Sequence, residues 1–119
     1  MMDQPSTREL VEAVRDFLER DAMPALDGRT RFLARVAANA LSIVARELEL
    51  GPGAAAAERD RLAALLGADG TLEELNRELC RRIREGAIGP DTPGLKEHLE
   101  STTRDKIAID QPNYPGIRR

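Results

Sequence analysis

Five polar residues repeat at helical spacing in the middle of the chain: Arg31, Arg35, Asn39, Ser42 and Arg46, at intervals of four, four, three and four. On a helix these positions fall within about 80° of one another. Guanidinium groups one turn apart suit a planar anion that accepts two parallel hydrogen bonds. Arg31, Arg35 and Asn39 are therefore candidate residues for binding an anionic ligand or a partner. The alternatives are a solvated face, or arginines that pair with Glu and Asp residues of neighbouring helices.

A second group of polar side chains lies close to the end of the chain and includes the only tyrosine. Asp110, Gln111 and Tyr114 are its candidate ligand-binding or partner-binding residues. Two prolines and one glycine among residues 110–119 predict an extended tail rather than a helix. Such a tail packs across its own domain with Tyr114 as an anchor, docks on a partner protein, or is disordered.

The single histidine and the single cysteine are weak candidates for catalysis. A general base needs an orienting acid, and no carboxylate lies one helical turn from His98, which is predicted to be a surface residue. Cys80 is predicted to be a small buried hydrophobe. One histidine and one cysteine are too few ligands for zinc. The sequence therefore predicts no catalytic residue, no metal and no cofactor, and it favours a noncatalytic protein over an enzyme.

The longest predicted element is a second helix over residues 28–50. Its apolar positions, from Phe32 to Leu48, cover about half of the helical wheel, which predicts burial against more than one neighbour. Glu47 falls inside this apolar arc, where it either projects past the end of the core or meets an arginine. The Gly51-Pro52-Gly53 sequence is expected to end the helix.

Shorter helices complete the expected fold. Capping boxes, Ser6 with Glu9 and Thr71 with Glu74, predict the starts of two of them. The expected helices cover residues 6–22, 28–50, 54–66, 71–85 and 92–109, and the tail covers 110–119. Short loops between amphipathic segments predict one all-α domain over residues 1–119, a compact bundle of about five helices around the long second helix.

Composition narrows the function classes. A net charge of −3 and only 3% aromatic residues disfavour nucleic-acid binding, which needs cations and stacking platforms. No apolar stretch approaches the roughly 20 residues of a membrane helix, and no apolar signal region follows Met1. These features predict a cytoplasmic, bacterial-type protein without membrane or nucleic-acid partners. The alanine-rich third helix can pack against a twin, so both a monomer and a homodimer stay open.

Three segments carry a family resemblance: RFLARVAANAL at 31–41, ELELG at 47–51 and KIAIDQPNY at 106–114. With them the chain resembles, over nearly its whole length, a bacterial family of small all-helical proteins, a domain of unknown function. The resemblance implies genes placed beside aminoglycoside-phosphotransferase-like and acyl-CoA-dehydrogenase-like enzymes. It implies no activity and no catalytic residue.

These observations support competing functions. The leading hypothesis is a noncatalytic helical accessory protein that binds a phosphotransferase-like or acyl-CoA-dehydrogenase-like enzyme. The alternative is a small-molecule binding module in which Arg31, Arg35 and Asn39 hold an anionic or acyl ligand and the segment from Asp110 to Tyr114 closes the site. An enzyme without a recognisable motif is the third possibility.

Overall fold

The computed structural model describes residues 4–117, and every regular element among them is helical. Helix α1 spans Thr7–Phe17 and continues as a π-helix, Leu18–Ala22, and a 3-10 turn, Met23–Ala25. Three further α-helices follow: α2 spans Gly28–Leu66, α3 spans Leu72–Arg84 and α4 spans Leu95–Asp110. A 3-10 turn, Pro115–Ile117, comes after α4. The all-α prediction is confirmed. The described residues form four α-helices instead of the expected five.

The helix boundary expected at Gly51-Pro52-Gly53 is absent, and these three residues lie inside the 39-residue helix α2. The prediction that this sequence ends the helix is wrong. Pro52 has no N–H to donate to the Leu48 carbonyl, but the usual clash of its ring with the preceding Cβ is absent because Gly51 has none. The alanines at 54–57 are strong helix formers, so the helix resumes at once. The expected helices 28–50 and 54–66 are therefore one element.

The other boundaries follow local chemistry. Both capping boxes are present: the backbone N–H of Glu9 donates to Ser6 Oγ at 3.1 Å, and that of Glu74 donates to Thr71 Oγ1 at 3.1 Å. The last helix begins at Leu95 instead of 92, after Gly94 with a left-handed φ of 91°. It also runs on to Asp110, and a turn and a 3-10 helix follow it. The extended tail is therefore wrong for the described residues, and 118–119 lie outside them.

The chain divides into two packed units, Met1–Leu50 and Gly51–Arg119, and α2 contributes to both. In the first unit α1 runs antiparallel to the first half of α2, since Arg8 Nη2 lies 3.3 Å from Glu49 Oε2. The buried side chains here are all small: Ala34, Ala38 and Ala45.

The predicted burial of the Phe32–Leu48 flank is wrong. Phe32 is 63% exposed, and Leu33, Val36, Val44 and Leu48 are exposed as well. The buried alanines lie just beyond one edge of the predicted arc, where small side chains let α1 approach closely. One neighbouring helix cannot also cover an arc that spans half of the wheel. Most of the large apolar side chains of this part of α2 therefore face solvent.

The second unit has a core of leucine and isoleucine. Leu62 is fully buried, and the other members of the cluster are Leu66, Leu75, Leu79, Ile88 and Leu95.

Arg82 Nη1 donates to the Leu66 carbonyl at 2.8 Å and so satisfies one orphan acceptor at the end of α2. Arg82 Nε donates to Glu78 at 2.7 Å. Hydrogen bonds from Arg81 and Arg82 lower the pKa of Glu78 to about 2.

The continuity of α2 can be tested at its proline. Because Pro52 lies inside a helix, Pro52→Ala restores one backbone hydrogen bond and should raise the free energy of unfolding by up to about 3 kcal/mol. Urea unfolding followed by circular dichroism measures the change. Pro90→Ala, in the loop between α3 and α4, is the control and should not stabilise. An unchanged or lower stability for Pro52→Ala would show that the helix ends near Leu50.

Candidate functional site

An open apolar groove runs along one side of α4. It consists of two depressions of about 290 Å³ and 480 Å³ that share Leu99 and Glu100. The first is further lined by Thr103, Arg104, Ile107, Tyr114 and Gly116, and the second by Ile83, Gly89, Pro90, Leu95 and Lys96. We call this surface the α4 groove. Leu99 in its floor is 46% exposed and Ile83 is 44% exposed, so much of its apolar surface faces water.

The chain after α4 turns back to form one end of the α4 groove. The N–H of Gln111 donates to the Ile107 carbonyl at 2.7 Å, and the N–H of Tyr114 donates to the Gln111 carbonyl at 3.0 Å. A Cβ at Gly116 would lie 2.7 Å from Tyr114 Cε1, so glycine is the residue that fits beside the ring. The segment therefore packs on its own unit, with Tyr114 half-exposed at the groove.

Charged side chains border the α4 groove at one-turn intervals. Lys96, Glu100 and Arg104 follow one another at spacings of four along α4, and Lys96 Nζ lies 3.8 Å from Glu100 Oε1. The rim thus alternates in sign while the floor is apolar. This combination suits an amphipathic segment that buries apolar side chains and pairs its charges at the edges.

A histidine cluster lies on a different side of α4. His98 is only 4% exposed, so its predicted surface position is wrong. Arg61 Nε donates to His98 Nδ1 at 3.3 Å, and Arg61 Nη2 donates to Thr102 Oγ1 at 3.1 Å. A guanidinium only donates, so Nδ1 accepts and the neutral imidazole carries its proton on Nε2. The cluster fastens α4 to the end of α2 within the second unit.

The surroundings of His98 disfavour its charged form. Burial lowers the pKa of His98, the positive charge of Arg61 lowers it further, and the carboxylate of Glu58 acts weakly in the opposite direction.

A depression of about 370 Å³ beside the cluster is lined by Arg61, Ala64, Leu65, Pro93, Gly94, Glu97, His98 and Ser101. The sequence signal that was missed is the spacing of three between Leu95 and His98, which places both on one face of α4. The partner Arg61 lies 37 positions away in the sequence.

The predicted site residues are split between the two units. Arg31, Arg35 and Asn39 are exposed on α2 in the first unit, and Asp110, Gln111 and Tyr114 are exposed in the second. In residues 4–117 the side chains of Arg31 and Arg35 have no hydrogen bond or ion pair. The joint site predicted for the two segments stays a prediction.

Other candidate residues are placed as follows. Ser42 and Arg46 are half-buried, and Arg46 is engaged in an interaction. Cys80 is exposed, so the prediction of a buried hydrophobe is wrong. Within the described part of the chain, no group of three or more histidine, cysteine or acidic residues can hold a metal ion. None of the helices seen there is long and apolar enough to cross a membrane.

The family of the chain follows from its match to a family model, Domain of unknown function (DUF6285), over residues 24–114. The match covers most of the chain, and the chain belongs to this family. It confirms the resemblance at the level of a domain of unknown function, whereas a bacterial origin and the neighbouring enzyme genes stay predictions. No curated protein and no solved structure matches the chain.

The His98 cluster makes stability depend on pH. Because burial and Arg61 hold the pKa of His98 below the ordinary 6.5, the unfolded chain takes up a proton at a higher pH than the folded chain does. The free energy of unfolding should therefore be undiminished above about pH 7 and fall as the pH drops through 6.5. Urea titrations between about pH 5 and 8 measure this slope.

His98→Gln is the matched variant, since its amide oxygen can accept from Arg61 but does not titrate. The slope between pH 5 and 7 should flatten in this variant. An equal slope in both proteins would assign the pH dependence to other groups.

Proposed function

We propose that this chain is a noncatalytic helical accessory protein that docks on a larger enzyme through the α4 groove. The observation that carries the proposal is the groove itself, an apolar floor left open in an otherwise packed unit. Leu99 and Ile83 are nearly half exposed in it, although Leu95, one turn away from Leu99, is buried in the core. Exposed apolar surface bordered by charge is typical of protein interaction sites.

The groove suits one kind of occupant, an amphipathic helix or extended segment of the partner. Lys96 and Arg104 at the rim would pair with acidic residues of that segment, and Glu100 between them with a basic one. Tyr114 supplies an aromatic ring with a polar tip, a combination that is frequent at contact hot spots. The family resemblance supports a phosphotransferase-like or acyl-CoA-dehydrogenase-like enzyme as the partner.

Binding should depend on the floor of the α4 groove. Leu99→Lys places a charge on the apolar floor and should weaken the complex with the partner enzyme at least about tenfold. Because Leu99 is already 46% exposed, the variant should keep its helical circular dichroism. Co-purification from cells, followed by isothermal titration of the two proteins, measures the affinity.

The control is Ala55→Lys, a lysine at an exposed position of α2 outside the groove. It should bind like the native chain. If neither enzyme binds at micromolar concentration, or if both lysine variants bind equally well, docking through the α4 groove is wrong.

We propose a second candidate function, binding of a small anionic ligand on the first unit. The observation that favours it is the pair Arg31 and Arg35, one turn apart, exposed and without a partner among the described residues, with Asn39 one turn further on. Two such guanidiniums provide parallel donors for a carboxylate or phosphate.

Titration calorimetry with acetyl-CoA and with citrate tests this second function. Arg31→Gln and Arg35→Gln should each reduce the affinity about tenfold, since each removes one charge-assisted contact. Arg84→Gln, an exposed arginine of the second unit, should leave it unchanged. Absence of binding by the native chain would leave the arginine stripe as a solvated face.

A further inference from the structure

The first unit leaves many of its large apolar side chains exposed. Among residues 4–50 the buried side chains are those of Ala34, Ala38 and Ala45, whereas nine large apolar side chains are 39% to 63% exposed: Leu10, Val14, Phe17, Phe32, Leu33, Val36, Val44, Leu48 and Leu50. Together they present on the order of 700 Å² of apolar surface, close to what one partner contributes to a standard interface. Scattered single exposed residues would be ordinary, but a set of this size marks a contact surface.

Some of the exposed apolar residues of α1 and of α2 lie on the same side of the hairpin. On α1, Leu10 and Val14 precede the half-buried Val11 and Leu18 by about 90° of rotation. On α2, Leu33 and Val44 precede the buried alanines by about 100–120°. Phe32, Val36 and Leu50 lie instead on the side of α2 opposite those alanines. Because the two helices are antiparallel, an equal rotation in the same sense leads to the same side. The apolar surface of the first unit thus spans both helices on one side of the hairpin and continues around α2 to the side opposite its buried alanines.

On the side opposite its buried alanines, α2 carries a heptad pattern. Its members alternate at spacings of four and three: Arg29, Leu33, Val36, Ala40, Ile43, Glu47 and Leu50. We call these residues the α2 seam. Ile43 is half-buried and the others are exposed. Apolar residues alternating at such spacings line the contact between two helices of a coiled coil.

The two charges of the α2 seam indicate what covers it. Arg29 and Glu47 are 18 positions apart, which is five helical turns, so they share a direction but lie about 27 Å apart along the axis. They cannot pair with each other within one chain. A two-fold axis at the level of residue 38 would place Arg29 opposite Glu47 of a second copy. The same axis aligns Leu33 with Ile43 and Val36 with Ala40.

We propose that this chain forms an antiparallel homodimer through the α2 seam, with two Arg29–Glu47 ion pairs at its ends. The dimer explains why a charged residue, Glu47, lies inside the apolar arc, because it pairs there with Arg29 of the second copy. A parallel pair would place like charges together, which is unfavourable. The proposal uses the first unit alone and does not depend on the α4 groove or its partner.

A charge swap tests the dimer and its register. Arg29→Glu faces Glu47 of the other copy with a like charge, and Glu47→Arg does the same to Arg29, each twice by symmetry. Each single variant should weaken dimerisation at least about tenfold, and the double variant should restore it. Sedimentation equilibrium of the full chain over micromolar concentrations measures the dissociation constant. Both residues are exposed, so the variants should stay folded.

Two further measurements complete the test. Leu33→Lys should give a monomer with native circular dichroism, and Ala55→Lys, outside the α2 seam, should stay dimeric. A spin label at Thr30→Cys, in a Cys80→Ser background, should report a separation on the order of 25 Å between copies, since residues 30 and 38 are eight positions apart. A parallel pair would give roughly 10 Å, the spacing of adjacent helices.

Several results would overturn the proposal. The first is a native chain that is monomeric throughout the concentration range, and the second is a double variant that dimerises no more tightly than the single variants. The third is a Leu33→Lys variant that dimerises like the native chain. The fourth is a spin-label distance of roughly 10 Å, as expected for a parallel pair.

Discussion

The unbroken course of α2 through Gly51, Pro52 and Gly53 is the constraint on which the other features depend. One helix of 39 residues supplies an element to both packed units, and its sequence must serve each of them. Its final turns carry Leu62 and Leu66 into a leucine core, while its earlier turns bury only alanines against α1. Backbone hydrogen bonding holds the element together even where a proline removes one donor.

Hydrogen bonds join the helices of the second unit at the edge of its apolar core. Arg82 caps the Leu66 carbonyl, and Arg61 holds His98 and Thr102 on the facing side of α4. A core built around six medium-sized side chains leaves these groups partly shielded from water, so their hydrogen bonds must be satisfied within the protein. The same shielding lowers the pKa of His98.

Exposed apolar surface is what the two units have in common. The first leaves large apolar side chains of α1 and α2 in solvent, and the second presents the α4 groove beside its leucine core. The two surfaces differ in chemistry. The α2 seam has charges that complement a second copy of itself, whereas the α4 groove has a rim of alternating charge suited to an unlike segment.

Local patterns determined much of this protein by themselves. The all-α class, both capping boxes, the long helix and the wide apolar arc on it followed from residue spacing and side-chain chemistry, because these act within one or two turns of helix. The packing of the tail beside Tyr114 was one of the alternatives that the sequence left open.

Tertiary structure decided which faces are covered. Three features depended on residues distant in sequence: the burial of His98, which pairs with Arg61 37 positions away, the exposure of Phe32, and the burial of Ala34 and Ala38. Helix periodicity states that a face is apolar but not what lies against it. The physical reason is that burial is a property of two surfaces, and a sequence pattern describes only one of them.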